Sequence, residues 1–358
     1  MHNEDINNLN KCRTNTAQLF AILELVADRV EMHYNVGEQR DNWNTLLLNS
    51  INIITLTAST MSGIAATCPG VAGAPLFALK LSSTLLFSTA TVLVLVMNKI
   101  QPSQLAEEQR NATRLFKLLE TKIETIIALQ SPTEEDVQDA IEKVLAIDRA
   151  YPLPILGAML EKFPAKFEPA VWWPCLQNKF KEEKLSKSKE IEEVNGWSGE
   201  VEMELREVTE VTKKKDFEEY ERIGNMVLKI NKSLAITGSL LMCIAAFGSV
   251  FVGNESWLVP PVAASLAVAV NSFEHGGQVG MVFEMYRYCG GFLRLLEETI
   301  EATLEEKEVE KRENGEVFQM KVAMQLGRTC FQLRELASKS ASYGKKGIPM
   351  DEFASKLF

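Results

Sequence analysis

Two long uncharged stretches, half a chain apart, constrain this sequence more than any other feature. Residues 42–79 carry no charge, and after Lys80 the chain stays neutral to Asn98. The pattern returns at 233–254, is interrupted by Glu255, and runs neutral again from Ser256 to Phe273. A bilayer crossing needs about 20 consecutive apolar residues, which a buried soluble helix rarely does. Each stretch is long enough for two crossings and has a helix breaker in its middle. The expected fold is therefore all-α: a polytopic membrane protein with two transmembrane helical hairpins, four crossings in all, plus amphipathic helices in water.

The totals hide this because the charge is segregated. Mean hydropathy is near zero, and charged residues make up 24% of the 358 residues. Outside the hairpins Glu, Lys and Arg are dense. The net charge of −10 argues against nucleic acid, which needs a basic surface. Six scattered cysteines (Cys12, Cys68, Cys175, Cys243, Cys289 and Cys330) form no C-x-x-C and read as small apolar packing residues in a reducing compartment. The polar start MHNEDINNLNKCRTN has no apolar core, so no cleavable signal peptide is expected.

Along the chain, 1–41 reads as a cytosolic amphipathic helix. Leu19, Ile22, Leu23, Val26 and Val30 form one stripe over 17–34. Hairpin 1 (42–99) comprises crossings at Leu46–Cys68 and Leu76–Asn98, joined by CPGVAGAP. Residues 100–177 read as a cytosolic helical region. In it Phe116, Leu119, Ile123 and Ile126 share a face, and Ser131-Pro132-Thr133-Glu134 predicts a capping box and a helix to about Arg149. Five prolines in 151–175 exclude one continuous helix. Residues 178–232 form a charged linker and lead-in. Hairpin 2 (233–285) has crossings at Ser233–Val252 and Val262–Phe283, and 286–358 holds cytosolic helices with Leu293, Leu296, Ile300 and Leu304 on one face.

Sliding the chain by 177 residues lays LLETKIETI (118–126) on LLEETIEAT (295–303), with five identities in nine. The same offset carries crossing one onto residues near crossing three and crossing two onto crossing four, so an internal duplication is a reading the spacing permits. Every Lys and Arg except Lys80 flanks the crossings, which predicts that both termini and the central region are cytosolic. Asn254-Glu255-Ser256 is then a sequon close to the membrane on the far side.

Candidate site residues are polar groups inside the crossings. Asn271, Glu274 and Gln278, spaced i, i+3 and i+7, share one face of a continuous fourth crossing. An ionisable group there costs on the order of 3 kcal/mol and faces a partner helix or a watery path. In an oligomer Glu274 would form a ring that attracts cations; the alternative is an interfacial charge past the end of the membrane. Asn49, Asn52 and Ser59, with Thr45 and Gly63, form a polar stripe on the first crossing, either lining a conduit or gluing helices together. Glu255 reads as an outer acidic ring or as a solvated loop charge. No P-loop, H-E-x-x-H or G-x-S-x-G is present, and the three histidines, His2, His33 and His275, build no metal cluster. No enzyme activity, cofactor or metal is expected. LPILGAMLEKFP (153–164) resembles the start of an F-box, but the pattern is short and generic.

The segments NWNTLLLNSINIITLTAST, SSTLLFSTATVLVLVMNKI, SLAITGSLLMCIAAFGSVFVG and VNSFEHGGQVGMVFEMYRYCGGFLRLLEETIE resemble the WeiTsing-like plant endoplasmic-reticulum cation channels, a family often labelled probable F-box proteins. The resemblance covers essentially the whole chain and lies in layout and segment texture. It implies a homo-oligomer, most simply a pentamer, in the endoplasmic reticulum membrane. It further implies permeability to cations such as Ca2+ and K+ and a part in plant immune signalling. Membrane lipid is then the expected partner. Two rivals stand beside it: a triggered α-helical pore-forming protein and a non-conducting membrane tether.

Overall fold

The computed structural model describes residues 2–67, 73–129, 132–154, 159–174, 195–251 and 258–357. All regular structure among them is helical. The chain divides into two compact units, one made of 1–166 and 225–285, the other of 167–224 and 286–358.

In the first unit, α1 runs unbroken from His2 to Thr67. The expected boundary between an amphipathic helix and a separate crossing near residue 41 is absent. Leu19, Val26 and His33, then Gly37, Asn44, Ile51, Ala58 and Ala65, are buried at seven-residue spacing. A seven-residue seam keeps one face against its neighbours over the whole length of a helix. Gly37 sits on that seam because α3 passes close: an added Cβ would lie 3.5 Å from Gln109 Cβ.

α2 (Ala74–Ile100) starts at Gly73 with φ +72 and has a proline in its first turn. It ends at Gln101, which takes a left-handed φ of 48. Pro102 explains the break, since a residue before proline is driven out of the helical region. Beyond it run α3 (Pro102–Ala128) and α4 (Glu134–Ala150). The capping box of α4 is built on Thr133 with Asp136, two residues later than the expected Ser131, and Pro132 precedes the cap.

The second half has a similar order of helices. α5 (Gly199–Val211), a π-helical stretch (Thr212–Phe217) and α6 (Glu218–Val250) make one continuous run that parallels α1. α7 (Val259–Asn271) passes into a π turn at Ser272–Gly276, then breaks at Gln278 with φ 52. α8 (Val279–Glu305) follows, with the same 27 residues as α3. Gln101 and Gln278, the two breaks, are related by the 177-residue offset. The fourth crossing expected at Val262–Phe283 is thus not one helix, and Gln278 does not share a helical face with Asn271 and Glu274.

Two helical stretches, within Pro75–Ala128 and Gly199–Val250, are long and apolar enough to cross a membrane. Ile51, Ala58, Phe87, Ala90, Val94, Met97, Met242, Ala245, Ala263, Ala264 and Ala267 form the core between the four apolar segments. Small residues let such helices approach closely. Their outward faces are apolar as well: Phe247 is 74% exposed, Phe77 67% and Ile53 65%, with Leu85, Val92, Leu240 and Leu266 alongside.

The second unit has its own apolar core of Trp197, Leu205, Val208, Leu293, Leu296, Ile300, Leu304, Phe318, Val322, Leu333 and Leu336. It includes all four residues of the expected α8 stripe. α9 (Gly315–Gln325) and α10 (Cys330–Lys346) complete it. The proline-rich stretch is non-helical over its described residues and is fastened to α8. Ala170 N donates to Arg287 O at 3.0 Å, Trp172 stacks on Tyr288 at 4.7 Å, and Trp173 Nε1 donates to Glu298 at 2.7 Å. The C-terminal segment is clasped by Asp216 in the π stretch, whose carboxylate accepts the backbone N–H of Ala354 at 2.7 Å and of Ser355 at 2.8 Å. Burial pushes that carboxyl above the usual range, and the two N–H donors oppose the shift.

Candidate functional site

The first unit buries a cluster of polar side chains where the apolar segments end. Asn98 and Gln101 come from the end of α2. Ser103, Gln104 and Glu108 come from the first turns of α3, which are buried on every side. Asn271, Glu274 and His275 come from the end of α7 and its π turn, each 1% exposed. An extra residue in the π turn shifts the register, so that two consecutive side chains, Glu274 and His275, both turn inward.

The hydrogen bonds join the two halves of the chain. His275 Nε2 lies 2.8 Å from Asn98 Oδ1, a pair separated by 177 residues, the offset that relates the repeated elements. Equivalent positions of the two halves therefore meet. Asn98 also donates to Ala235 O at 2.9 Å and Ser239 Oγ at 3.0 Å. Gln101 Nε2 donates to Glu274 Oε1 at 2.9 Å. Asn44 Nδ2 donates to His275 O at 3.3 Å. On α3, Gln104 Nε2 donates to Glu108 Oε1 at 3.5 Å, and Glu108 pairs with Lys162. Residues 101, 104 and 108 lie on one side of the helix, so the cluster extends as a column from the π turn along α3.

Many of its atoms lack a protein partner. Among the described residues, Gln101 Oε1, Ser103 Oγ, Gln104 Oε1, Glu274 Oε2, His275 Nδ1, Asn44 Oδ1 and both side-chain heteroatoms of Asn271 are buried without a hydrogen bond. Each such group costs about 1–3 kcal/mol in a dry interior, so this number of them calls for water or a cation. Gly280 leaves the space: a Cβ there would lie 3.0 Å from Gln101 Oε1 and 3.5 Å from Ser103 Oγ. Gly238 does the same opposite Asn271, whose Oδ1 would be 2.3 Å from a Cβ. Among the described residues no three His, Cys, Asp or Glu groups are placed to hold a metal, and the acceptors are mostly neutral oxygens, with the carboxylates of Glu274 and Glu108 among them.

The residues singled out from sequence fare unequally. Asn271 and Glu274 are brought together, but inside their own chain's bundle, not on an outer face where a neighbouring copy would meet them. Gln278 is half-buried at the break. Glu255 lies outside the described residues. Asn49 is exposed. Asn52 is half-buried and donates to Ser272 Oγ at 3.4 Å, and the Ser59 hydroxyl donates to its own helix at Thr55 O, 2.8 Å away. The inward face of α1 is instead Asn44, Thr55 and Ser62, which the expected stripe misses by its helical phase. Asn98, Gln101, Gln104, Glu108 and Lys162 were not anticipated. The 177-residue offset, which lays Asn98 on His275, was the sequence signal that leads to the first of them.

A family description, petal formation-expressed, matches residues 18–334. The chain belongs to that family. The match spans both halves of the repeat and every member of the polar column. It names a plant organ and carries nothing particular to the channels that the chain resembles. Neither a curated protein nor a solved structure matches the chain.

Proposed function

We propose that this chain is a multi-pass membrane protein that passes cations through the polar interior of its apolar helices. The observation that carries the reading is an inverted distribution of polarity. Large apolar side chains such as Phe247 and Ile53 face outward, while Glu274, His275, Asn98 and Gln101 are sealed inside. A soluble core helix hides its apolar face; only 22% and 28% of the two most apolar windows are buried. Lipid reverses the usual preference, and polar groups then collect inside the bundle. All four apolar segments cross in this reading, with Lys- and Arg-rich flanks on the cytosolic side.

Asn271, Gln101 and Asn98 supply neutral oxygens that replace hydration, and the Glu274 carboxylate sets the sign of the permeant ion. The structural repeat reads as an internal duplication with its axis along the membrane normal, since each half crosses twice. Endoplasmic-reticulum location, calcium permeability, pentameric assembly and a part in plant immunity rest on the resemblance; assembly would repeat the column in each copy. Recording of the full-length protein in planar bilayers under asymmetric potassium and calcium salts tests the reading. Discrete openings with a cation-side reversal potential, lost in Glu274→Gln, are expected. A silent bilayer with protein resistant to alkaline carbonate extraction would replace it with a non-conducting tether. Protein extracted by carbonate would point to a pore that inserts only when triggered.

A further inference from the structure

The hydrogen bonds around His275 fix which parts of the apolar helices lie at one level. Asn44 on α1 donates to His275 O at 3.3 Å, His275 Nε2 meets Asn98 Oδ1 on α2 at 2.8 Å, and Asn98 Nδ2 donates to Ala235 O on α6 at 2.9 Å. α1, α2, α6 and the π turn therefore pass side by side through one polar layer. Within about one helical turn of it lie three cations, Arg40, Lys99 and Lys232, and Lys229 follows a turn further out on α6. None of the four makes an ion pair among the described residues. Two carboxylates lie in the same turns. Asp41 is taken by Arg110 at 3.3 Å, and Glu274 is enclosed in the bundle. Farther from the layer Arg29 pairs with Asp148 and Lys122 with Asp139.

Each of these cations borders an apolar outer face. Leu95 and Lys99, and Lys232 and Ile236, are four residues apart, so each pair shares one side of its helix, and all four are exposed. On α1 the Arg40 guanidinium lies 5.4 Å from the ring of the exposed Trp43, and Leu46 stands exposed beyond it. Arg40 Nε is enclosed without a hydrogen bond, so the aromatic ring and not a carboxylate holds this charge. Tryptophan at the end of an apolar face marks a headgroup level. Composition does not account for the layer, since the whole chain carries a net charge of −10.

We propose that Arg40, Lys99 and Lys232, with Lys229 beside them, form a binding surface for the phosphate headgroups of anionic phospholipids. The proposal rests on the membrane-spanning part of the reading above and adds a lipid preference to it. A guanidinium and ammonium groups without protein partners complement phosphate oxygens, and the cytosolic leaflet is the anionic one. The test uses full-length protein in phosphatidylcholine liposomes that contain either brominated phosphatidylglycerol or brominated phosphatidylcholine. Bromine quenches tryptophan on contact, and the emission lost in Trp43→Phe reports this site. The anionic lipid should associate at least about fivefold more tightly than phosphatidylcholine. Arg40→Gln/Lys99→Gln/Lys232→Gln should bring the two lipids level, while brominated phosphatidylcholine still quenches it as it does wild type, which shows that the variant is inserted. Arg40→Lys should keep most of the preference, and Lys345→Gln/Lys346→Gln, in the second unit, should keep all of it. Equal quenching of wild type by the two lipids, or a preference that survives in the triple variant, overturns the surface and leaves the membrane reading standing. Trp43 unquenched by either lipid in protein that floats with the liposomes also overturns it. Protein that does not float removes both.

Discussion

α3 and α8 are counterparts, 27 residues each, yet their first turns are built from opposite chemistry. α3 opens with Ser103, Gln104, Glu107, Glu108 and Gln109, all buried. α8 opens with Val279, Gly280, Met281, Val282 and Phe283, and keeps only Glu284 and Arg287 where α3 has Glu107 and Arg110. Their later turns agree: Phe116, Leu119 and Ile123 are buried in one unit as Leu293, Leu296 and Ile300 are in the other. The repeat thus preserves the hydrophobic register that makes each helix fold. The two helices diverge where the polar column lies: α3 supplies polar side chains to it, and α8 supplies Gly280, which leaves room for them.

The comparison breaks most sharply at Gly291, the counterpart of Arg114. A Cβ on Gly291 would meet the Ala170 carbonyl oxygen at 2.1 Å, which is backbone and cannot swing away. Arg114 is 62% exposed. Gly291→Ala should therefore destabilise by about 3 kcal/mol, and Arg114→Ala by less than about 0.5 kcal/mol, in detergent-solubilised thermal unfolding. Similar losses for both would mean that the proline-rich stretch is not seated on α8.

The shared register gives the next test. Phe116→Ala and Leu293→Ala should each cost about 3–4 kcal/mol, since both side chains are 0% exposed. Hydrogen exchange should show the loss of protection concentrated in the mutated unit. A uniform loss across both would show that they unfold as one body.

A smaller effect separates the two units by pH. His33 stacks on Phe116 at 5.4 Å and meets Gln109 Oε1 at 2.6 Å, whereas the core that holds Leu293, the counterpart of Phe116, contains no histidine among the described residues. Burial holds the His33 ring below its ordinary value of 6.5, against the opposing pull of Gln109 and Asp148. The unfolded chain then binds the proton first, so stability is full above 6.5 and falls as pH drops through the lower folded value. As pH drops below 6.5 this residue should cost the first unit stability, and His33→Gln should make the pH dependence shallower. A slope unchanged in His33→Gln would assign it elsewhere.

Much of this architecture was legible in the residues. The runs without charge placed the apolar segments. The i, i+3, i+7, i+11 spacing of Leu293, Leu296, Ile300 and Leu304 named a buried face that the structure reproduces. LLETKIETI against LLEETIEAT gave the offset on which α3 and α8 coincide. The column was legible only in part, through Asn271 and Glu274. Asn49 and Asn44 are the same residue on the same helix, and only the phase at which α1 meets its neighbours decides that Asn44 faces inward.

The sequence by itself determined where helices form and which are apolar, because hydropathy and helix signals are properties of short windows. Only the tertiary structure decided which polar side chains are enclosed. A π turn at Ser272–Gly276 and left-handed breaks at Gln101 and Gln278 reset the helical phase by single residues, and inward or outward is a matter of that phase and not of composition.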